Sequence, residues 1–298
     1  MIIVTGANGK LGRAVTERLL ERVPAARIGV SVRVPDGARD LEDRGVRVRR
    51  GDFADPAGLA HAFEGASKVL VVSTDSTGET AVRHHRVAIE AAVAAGAARV
   101  VYTSHMGANP SSPFAPMPDH AATEAALREC GVAFTALRNG FYAASAAMLL
   151  GAALHTGELT APEDGPVAWT AHADLAEAAA LALTEDELDG MTPALTGSEA
   201  IDLTGVAAIA ARLTGRPIRR VVVTEAEYRA SLLARGLPES AADLLLGLFA
   251  ASRLGHFAST DSTLARLLGR PPVPLADILR ATVTPLGVRP QDARAVTR

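Results

Sequence analysis

Met1-Ile2-Ile3-Val4-Thr5-Gly6-Ala7-Asn8-Gly9-Lys10-Leu11-Gly12-Arg13 opens the chain, a short apolar run that passes directly into glycines at 6, 9 and 12. Such a run reads as a buried parallel strand, and the stretch after it as a helix whose first N–H groups have no acceptor within the helix. Those groups, at the positive end of the helix dipole, bind an anion such as a pyrophosphate. The glycines are required sterically. Gly6 permits the sharp turn, Gly9 lets the backbone approach the phosphates, and Gly12 lets the helix pack closely on the strand. The spacing is GxxGxxG rather than the common GxGxxG, and a glycine-rich turn alone is weak evidence. Context strengthens it: a strand before, a helix from Ala14 to Glu21 after, and a second strand where a βαβ unit needs one. The reading is a dinucleotide site, with Asn8, Lys10 and Leu11 in the same loop.

Outward from this loop, strand and helix patterns alternate. The strands read Ile2 to Thr5, Ile28 to Arg33, Val46 to Arg50, Val69 to Ser73, Val100 to Thr103 and Phe134 to Leu137. Between them fall helical stretches at Ala38 to Arg44, Pro56 to Phe63, Ala81 to Ala95 and Ala121 to Glu129. Continuous apolar strands alternating with helices predict an α/β fold with a doubly wound parallel sheet of Rossmann type, its nucleotide at the carboxyl ends of the strands. Residues 1–140 form the expected dinucleotide-binding domain. The order loosens afterwards, with a helix at Ala143 to Leu154, strands at Val167 to Thr170, Ala194 to Thr196 and Arg219 to Thr224, and helices near Asp174 and at Leu203 to Leu213. Residues 141–298 are therefore expected to form a smaller α/β lobe on the substrate side, partly interleaved with the first domain.

Composition bounds the function. The chain has 298 residues, 48% hydrophobic and 21% charged, with a net charge of -3 and no basic stripe, which argues against a nucleic-acid surface. The longest nearly apolar stretch, Ala143 to Leu154, is too short to span a bilayer. No positively charged segment precedes an apolar run at the N-terminus, and the single cysteine, Cys130, excludes an internal disulfide. The expectation is a cytoplasmic protein without membrane insertion, for which a homodimer remains open. Cys130 has no local support as a nucleophile and reads as a small core residue near a helix end.

The second strand ends at Val32-Arg33 with no acidic residue at its tip for a ribose 2′-hydroxyl, and a positive charge there suits a 2′-phosphate. Arg33 is the candidate, with Lys10 or Arg13 as helpers; a solvated strand-end arginine is the plain alternative. In Gly51-Asp52-Phe53 a carboxylate and a ring can frame an adenine, or Asp52 can serve a turn ahead of the Asp55-Pro56 helix cap. Ser73 and Thr74 either contact the nicotinamide ribose or begin a loop.

A Tyr-x-x-x-Lys dyad, in which lysine lowers the tyrosine pKa for proton transfer to a carbonyl, is absent. The lysines are Lys10 and Lys68, and four residues ahead of them stand Gly6 and Glu64. Where the dyad would be expected, after Ser104, stands His120-Ala121-Ala122-Thr123-Glu124, whose ends share a helix face, so that Glu124 can orient or charge His120. The alternative is a helix-start histidine with a surface glutamate. The sixth strand ends in Leu137-Arg138-Asn139-Gly140-Phe141-Tyr142, where an Asn and two aromatics can line a flat apolar pocket or fill a core. No metal-ligand spacing appears, and a metal is not expected.

These residues together, with Tyr102-Thr103-Ser104, Asp119-His120 and Ala171-His172-Ala173-Asp174-Leu175-Ala176, resemble the NmrA-like branch of atypical short-chain dehydrogenases/reductases. Within it, the chain is most similar to the bacterial NADPH:quinone oxidoreductases of the second type and the triphenylmethane-dye reductases. The resemblance implies NADPH bound at Gly6, Gly9, Gly12 and Arg33, with the nicotinamide near Ser73, Ser104 and Asn139. It further implies hydride transfer to a quinone-like or dye-like aromatic acceptor in a cavity lined by Ser104, Met106, Asn139 and Tyr142, with Phe141 beside them and His120 as an auxiliary donor. The branch also contains dinucleotide-sensing regulators without turnover, which is the alternative reading.

Overall fold

Four of the first six strands are almost wholly buried, which only a sheet covered on both faces by helices can accommodate. The computed structural model describes residues 1–283. They divide into two units, the first comprising Met1–Asn139, His172–Leu195 and Asp261–Pro271, the second Gly140–Ala171, Thr196–Thr260 and the segment from Pro272 on.

In the first unit the chain runs β1 (Ile2–Thr5), α1 (Lys10–Leu20), β2 (Ile28–Val32), α2 (Arg39–Glu42), β3 (Arg47–Arg50), α3 (Pro56–Phe63), β4 (Lys68–Val71), α4 (Glu79–Ala94), β5 (Arg99–His105), α5 (Pro116–Arg128) and β6 (Ala133–Asn139). The second unit then contributes β7 (Phe141–Tyr142), α6 (Ala143–Leu150), α7 (Ala153–Thr156), β8 (Glu158–Ala161) and β9 (Trp169–Thr170). The first resumes with α8 (His172–Thr184) and β10 (Ala194–Leu195), the second with α9 (Leu203–Thr214), β11 (Arg219–Val222), α10 (Glu225–Ala234) and α11 (Glu239–Arg253). A last exchange gives α12 (Thr263–Leu268) to the first unit and α13 (Leu275–Val283) to the second.

The main sheet has seven parallel strands in the order β10-β6-β5-β4-β1-β2-β3. The doubly wound Rossmann sheet expected from the sequence is thus present. β1 pairs with β2 on one side and β4 on the other, so the direction of winding reverses at β1. The crevice outside the carboxyl ends of β1 and β4 is where such sheets take ligands. One face of the sheet buries Ile3, Val69, Val71, Val100 and Tyr102 against Leu59 and Phe63 of α3, Ile89 of α4 and Leu127 of α5.

At one edge of the sheet, β3 carries three arginines. Arg47 donates to the carbonyls of Ala62 and Glu64, Arg49 to the His61 carbonyl and the Glu64 carboxylate, and Arg50 is exposed. The other edge, β10, is two residues long.

The second unit holds two parallel pairs, β7 with β9 and β8 with β11. Phe141 meets Trp169 and Phe257 edge to face at centroid separations of 5.5 and 5.1 Å. Three local expectations differ. The helix read through Ala143 to Leu154 breaks at Gly151–Ala152 into α6 and α7; β8 was not anticipated; and α5 starts at Pro116, with its prolines in the first turn where their missing N–H groups cost nothing. Among the described residues no helix is long and apolar enough to cross a membrane.

Candidate active site

The glycine loop is an anion cradle by its backbone. Gly6 takes φ +65° and donates to the Ser31 carbonyl (3.0 Å), and Gly9 donates to the Gly6 carbonyl (2.9 Å). Helix α1 has no side-chain cap and no acidic residue in its first turn, and its first backbone bond is from Arg13 N–H to the Gly9 carbonyl (3.0 Å). The N–H groups of Lys10, Leu11 and Gly12 therefore have no acceptor in the helix, at the positive end of its dipole. A Cβ on Gly12 would stand 2.5 Å from the Gly6 carbonyl oxygen, so only glycine lets the helix come this close. Leu11 is buried, and what it can offer a ligand is backbone.

Asn8 reaches across to the turn after β2, donating from Nδ2 to the Val34 carbonyl (2.8 Å). The strand ends at Val32, and Arg33 just beyond it is exposed and makes no ion pair with any described residue. Arg13 is committed elsewhere: its Nη2 lies 2.6 Å from both oxygens of Asp40, whose carboxyl it holds below the usual range. At the tip of β3, Asp52 Oδ1 accepts from Ala54 N–H (3.0 Å), Asp55 caps α3 through Gly58 N–H (3.0 Å), and Phe53 leans on the core. Local turn chemistry occupies this tip.

Hydroxyls at the carboxyl ends of β1 and β5 extend the ladder to β4. Thr5 Oγ1 accepts from Val72 N–H and Thr103 Oγ1 from Ser73 N–H, each at 2.8 Å. Asn139, 2% exposed, accepts from Met106 N–H at its carbonyl (2.8 Å), yet its side-chain Oδ1 is buried with no hydrogen-bond partner among the described residues. A buried amide oxygen left in this way costs free energy unless something else supplies a donor.

Ser104 Oγ donates to Glu124 Oε1 (2.7 Å), and Arg138 clamps the same carboxylate from Nε (2.8 Å) and Nη2 (2.7 Å). Arg128 adds a longer contact of 3.4 Å. Glu124 therefore anchors Ser104 and Arg138 rather than His120. His120 instead lies against Tyr102, with Nδ1 2.8 Å from the phenol oxygen, and stacks on His105 at a centroid separation of 6.0 Å. Burial lowers the His120 pKa to about 4, opposed only in part by Glu124. Glu124 does favour the charged ring, as the helix spacing predicts, but burial outweighs it and leaves His120 neutral at physiological pH. His85 and His105 are each lowered to about 3, mainly by burial and then by His120.

The structure thus brings Ser104, His120, Glu124 and Asn139 to the carboxyl ends of β5 and β6, with Ser73 and Thr74 at that of β4. Phe141 and Tyr142 belong to the second unit. Sequence reasoning missed Arg138 as the partner of Glu124, and Tyr102 and His85 as partners around His120. His85 was detectable: it repeats with Ala81, Ala88, Ile89 and Ala92 on one buried face of α4, and a buried histidine needs partners.

The family model described as NAD(P)H-binding matches residues 6–186. The chain is 36% identical over 278 residues to quinone oxidoreductase 2 of Escherichia coli, covering 93% of this chain and 96% of that protein. It is 30% identical over 290 residues to NAD(P)H azoreductase of Xenophilus azovorans, covering 96% and 99%. The crystal structure of the E. coli quinone oxidoreductase with NADPH superposes with a TM-score of 0.90 at 35% identity, over 94% of this chain and 99% of that one. Citrobacter sp. triphenylmethane reductase with NADP(H) gives 0.88 at 31% identity, over 95% and 100%.

Proposed function

Starting from the fact that the chain belongs to the NAD(P)H-binding family of NmrA-like oxidoreductases, we propose that it is an NADPH-dependent reductase of quinone-like or dye-like, electron-poor aromatic acceptors. The observation that carries the reading is the pairing of an uncapped α1 N-terminus at the switch point with a buried Asn139 Oδ1 at the end of β6 that has no partner among the described residues. Both fit the two ends of a dinucleotide. The N–H groups of Lys10, Leu11 and Gly12 would hold the pyrophosphate, Arg33 the 2′-phosphate, and Asn139 with Ser73 and Thr74 the nicotinamide end.

Bound there, NADPH supplies hydride, ending as NADP⁺, and a quinone reduced in this way needs one proton from solvent to end as the hydroquinone. The residues present suit an acceptor that demands no strong acid. Ser104 commits its proton to Glu124, and the neutral His120 can donate a hydrogen bond to a developing oxyanion without having a proton to lose. A delocalised acceptor yields an oxyanion far less basic than an alkoxide, which agrees with the absent Tyr-x-x-x-Lys dyad.

The test is steady-state NADPH oxidation by the purified full chain against a panel of simple quinones, azo dyes and triphenylmethane dyes. Sustained turnover of at least one class is expected. Tight NADPH binding with no acceptor consumed would replace the reading with that of a dinucleotide sensor.

A further inference from the structure

Between β4 and α4 the chain passes through a partly exposed turn, residues 72–78, and side chains from four other elements take its N–H groups. Val72 donates to Thr5 Oγ1 of β1 and Ser73 to Thr103 Oγ1 of β5, each at 2.8 Å. Thr74 donates to His85 Nε2 of α4 (3.0 Å), and Gly78 to Asp119 Oδ2 of α5 (2.7 Å). All four acceptors are buried. A turn at the surface can leave such groups to water, whereas burying a histidine and an aspartate costs free energy that hydrogen bonds must offset. Burial lowers the His85 pKa to about 3, so the ring is neutral and Nε2 stays an acceptor. Its Nδ1 lies 2.9 Å from Thr123 Oγ1, which donates to the Asp119 carbonyl (2.8 Å), so both anchors are tied to the same stretch of α5. Gly78 is the first residue ahead of α4, and the Asp119 carboxylate therefore also meets the positive end of that helix.

We infer that His85 and Asp119 are positioning residues for the dinucleotide, holding the turn after β4 so that Ser73 and Thr74 meet its nicotinamide half already in place. The inference rests on the placement of the nicotinamide end proposed above, and not on any transfer of hydride. Ordering a loose turn on binding costs conformational entropy, and a turn ordered in advance spares that cost. Asp119 directly precedes His120, so one turn of α5 carries both an anchor of the cofactor side and the imidazole of the candidate site. The adenosine half falls to other residues, the Gly6–Gly12 loop and Arg33, and gains nothing from either anchor.

The experiment is calorimetric titration of the full chain with NADPH and with adenosine 2′,5′-bisphosphate, which keeps the adenosine and the 2′-phosphate but has no nicotinamide. Asp119→Ala and His85→Leu should each weaken NADPH about tenfold, the equivalent of one hydrogen bond, with the bisphosphate within about twofold. Asp119→Asn keeps an oxygen for Gly78 and should bind NADPH within about threefold of the wild type. Amide exchange followed by NMR in the ligand-free wild type should show Thr74 and Gly78 protected about tenfold or more beyond Asp75 and Thr77. Unprotected Thr74 and Gly78 amides overturn the inference even if no variant folds. Equal losses for the two ligands, NADPH binding unchanged in Asp119→Ala and His85→Leu, or an Asp119→Asn protein no tighter than Asp119→Ala overturn it as well. A wild type that binds neither ligand ends the dinucleotide reading and this inference together. One that binds as expected yet reduces no acceptor ends the reductase reading alone.

Discussion

Breaking the Glu124–Arg138 pair from one side should cost more than breaking it from the other. Glu124 is 2% exposed at its side chain and Arg138 is 32% exposed, so the two charges differ in what they fall back on when left alone. Arg138→Leu strands a buried carboxylate with the Ser104 hydroxyl at 2.7 Å and Arg128 at 3.4 Å as its remaining support. Removing one partner of a buried pair costs about 3–5 kcal/mol. Glu124→Gln leaves the charge on a guanidinium that water can reach, and keeps an amide oxygen for Ser104; the loss there should be nearer 1.5–2.5 kcal/mol. At roughly 2–4 °C per kcal/mol for a chain of this class, the melting midpoint should drop by about 6–20 °C for Arg138→Leu and about 3–10 °C for Glu124→Gln. The double variant Glu124→Leu/Arg138→Leu should recover part of the larger loss, because no charge remains buried. Thermal unfolding by circular dichroism without ligand, with turnover measured well below every midpoint, decides the matter. Equal midpoints for the two single variants would refute the burial argument. A Glu124→Gln protein of unchanged midpoint and collapsed turnover would instead make the carboxylate part of the chemistry.

Arg33→Ala should weaken NADPH by about ten- to a hundredfold, the loss of one charge-assisted phosphate contact, and leave NADH almost untouched; equal losses in parallel titrations would remove Arg33 from cofactor choice. Gly12→Ala puts a methyl 2.5 Å from the Gly6 carbonyl, against 3.3 Å for Gly9→Ala, so calorimetric NADPH binding should suffer more from the first, by about tenfold or more. His85 and His105 near 3 and His120 near 4 are all depressed below the ordinary 6.5 of the unfolded chain, which therefore binds more protons as pH falls. Their contribution to stability is fully present above pH 6.5 and should be lost as pH falls toward 4, at up to about 1.4 kcal/mol per pH unit for each ring. Chemical denaturation between pH 7 and 5 measures the slope, and a flat profile would contradict the neutral assignment.

The sheet was legible because its signals are local. β1, Val69–Val71 of β4 and Val100–Tyr102 of β5 are continuous apolar runs beside a helix, and the glycine spacing reports one turn without reference to anything distant. What escaped depends on partners far along the chain. The strand read at Ala194 to Thr196 is there as Ala194–Leu195, but its place in the main sheet depends on β6 lying ready to pair with it, and Glu158–Ala161 alternates too briefly to stand out until β11 is beside it. The prolines at 116 and 118 read as loop, although the first helical turn tolerates them. At the site, the i,i+4 spacing of His120 and Glu124 suggested a pair. Arg138, on the next strand, takes the carboxylate from behind, and Tyr102 takes the imidazole. Helical spacing states which residues can meet; it cannot rank them against partners from another element.

The two margins of the main sheet also determine how the folded chain behaves in a crowded solution. A sheet grows by recruiting a strand from a neighbour, and a long, flat, uncharged border invites it. On one border here an incoming backbone would have to settle beside Arg47, Arg49 and Arg50, two of them already tied down to the α3 end of the same unit. On the other it would find a strand of two residues, too short to template a ladder. One margin is closed by charge and the other by brevity, so the molecule can carry a seven-stranded sheet and still resist polymerising through it.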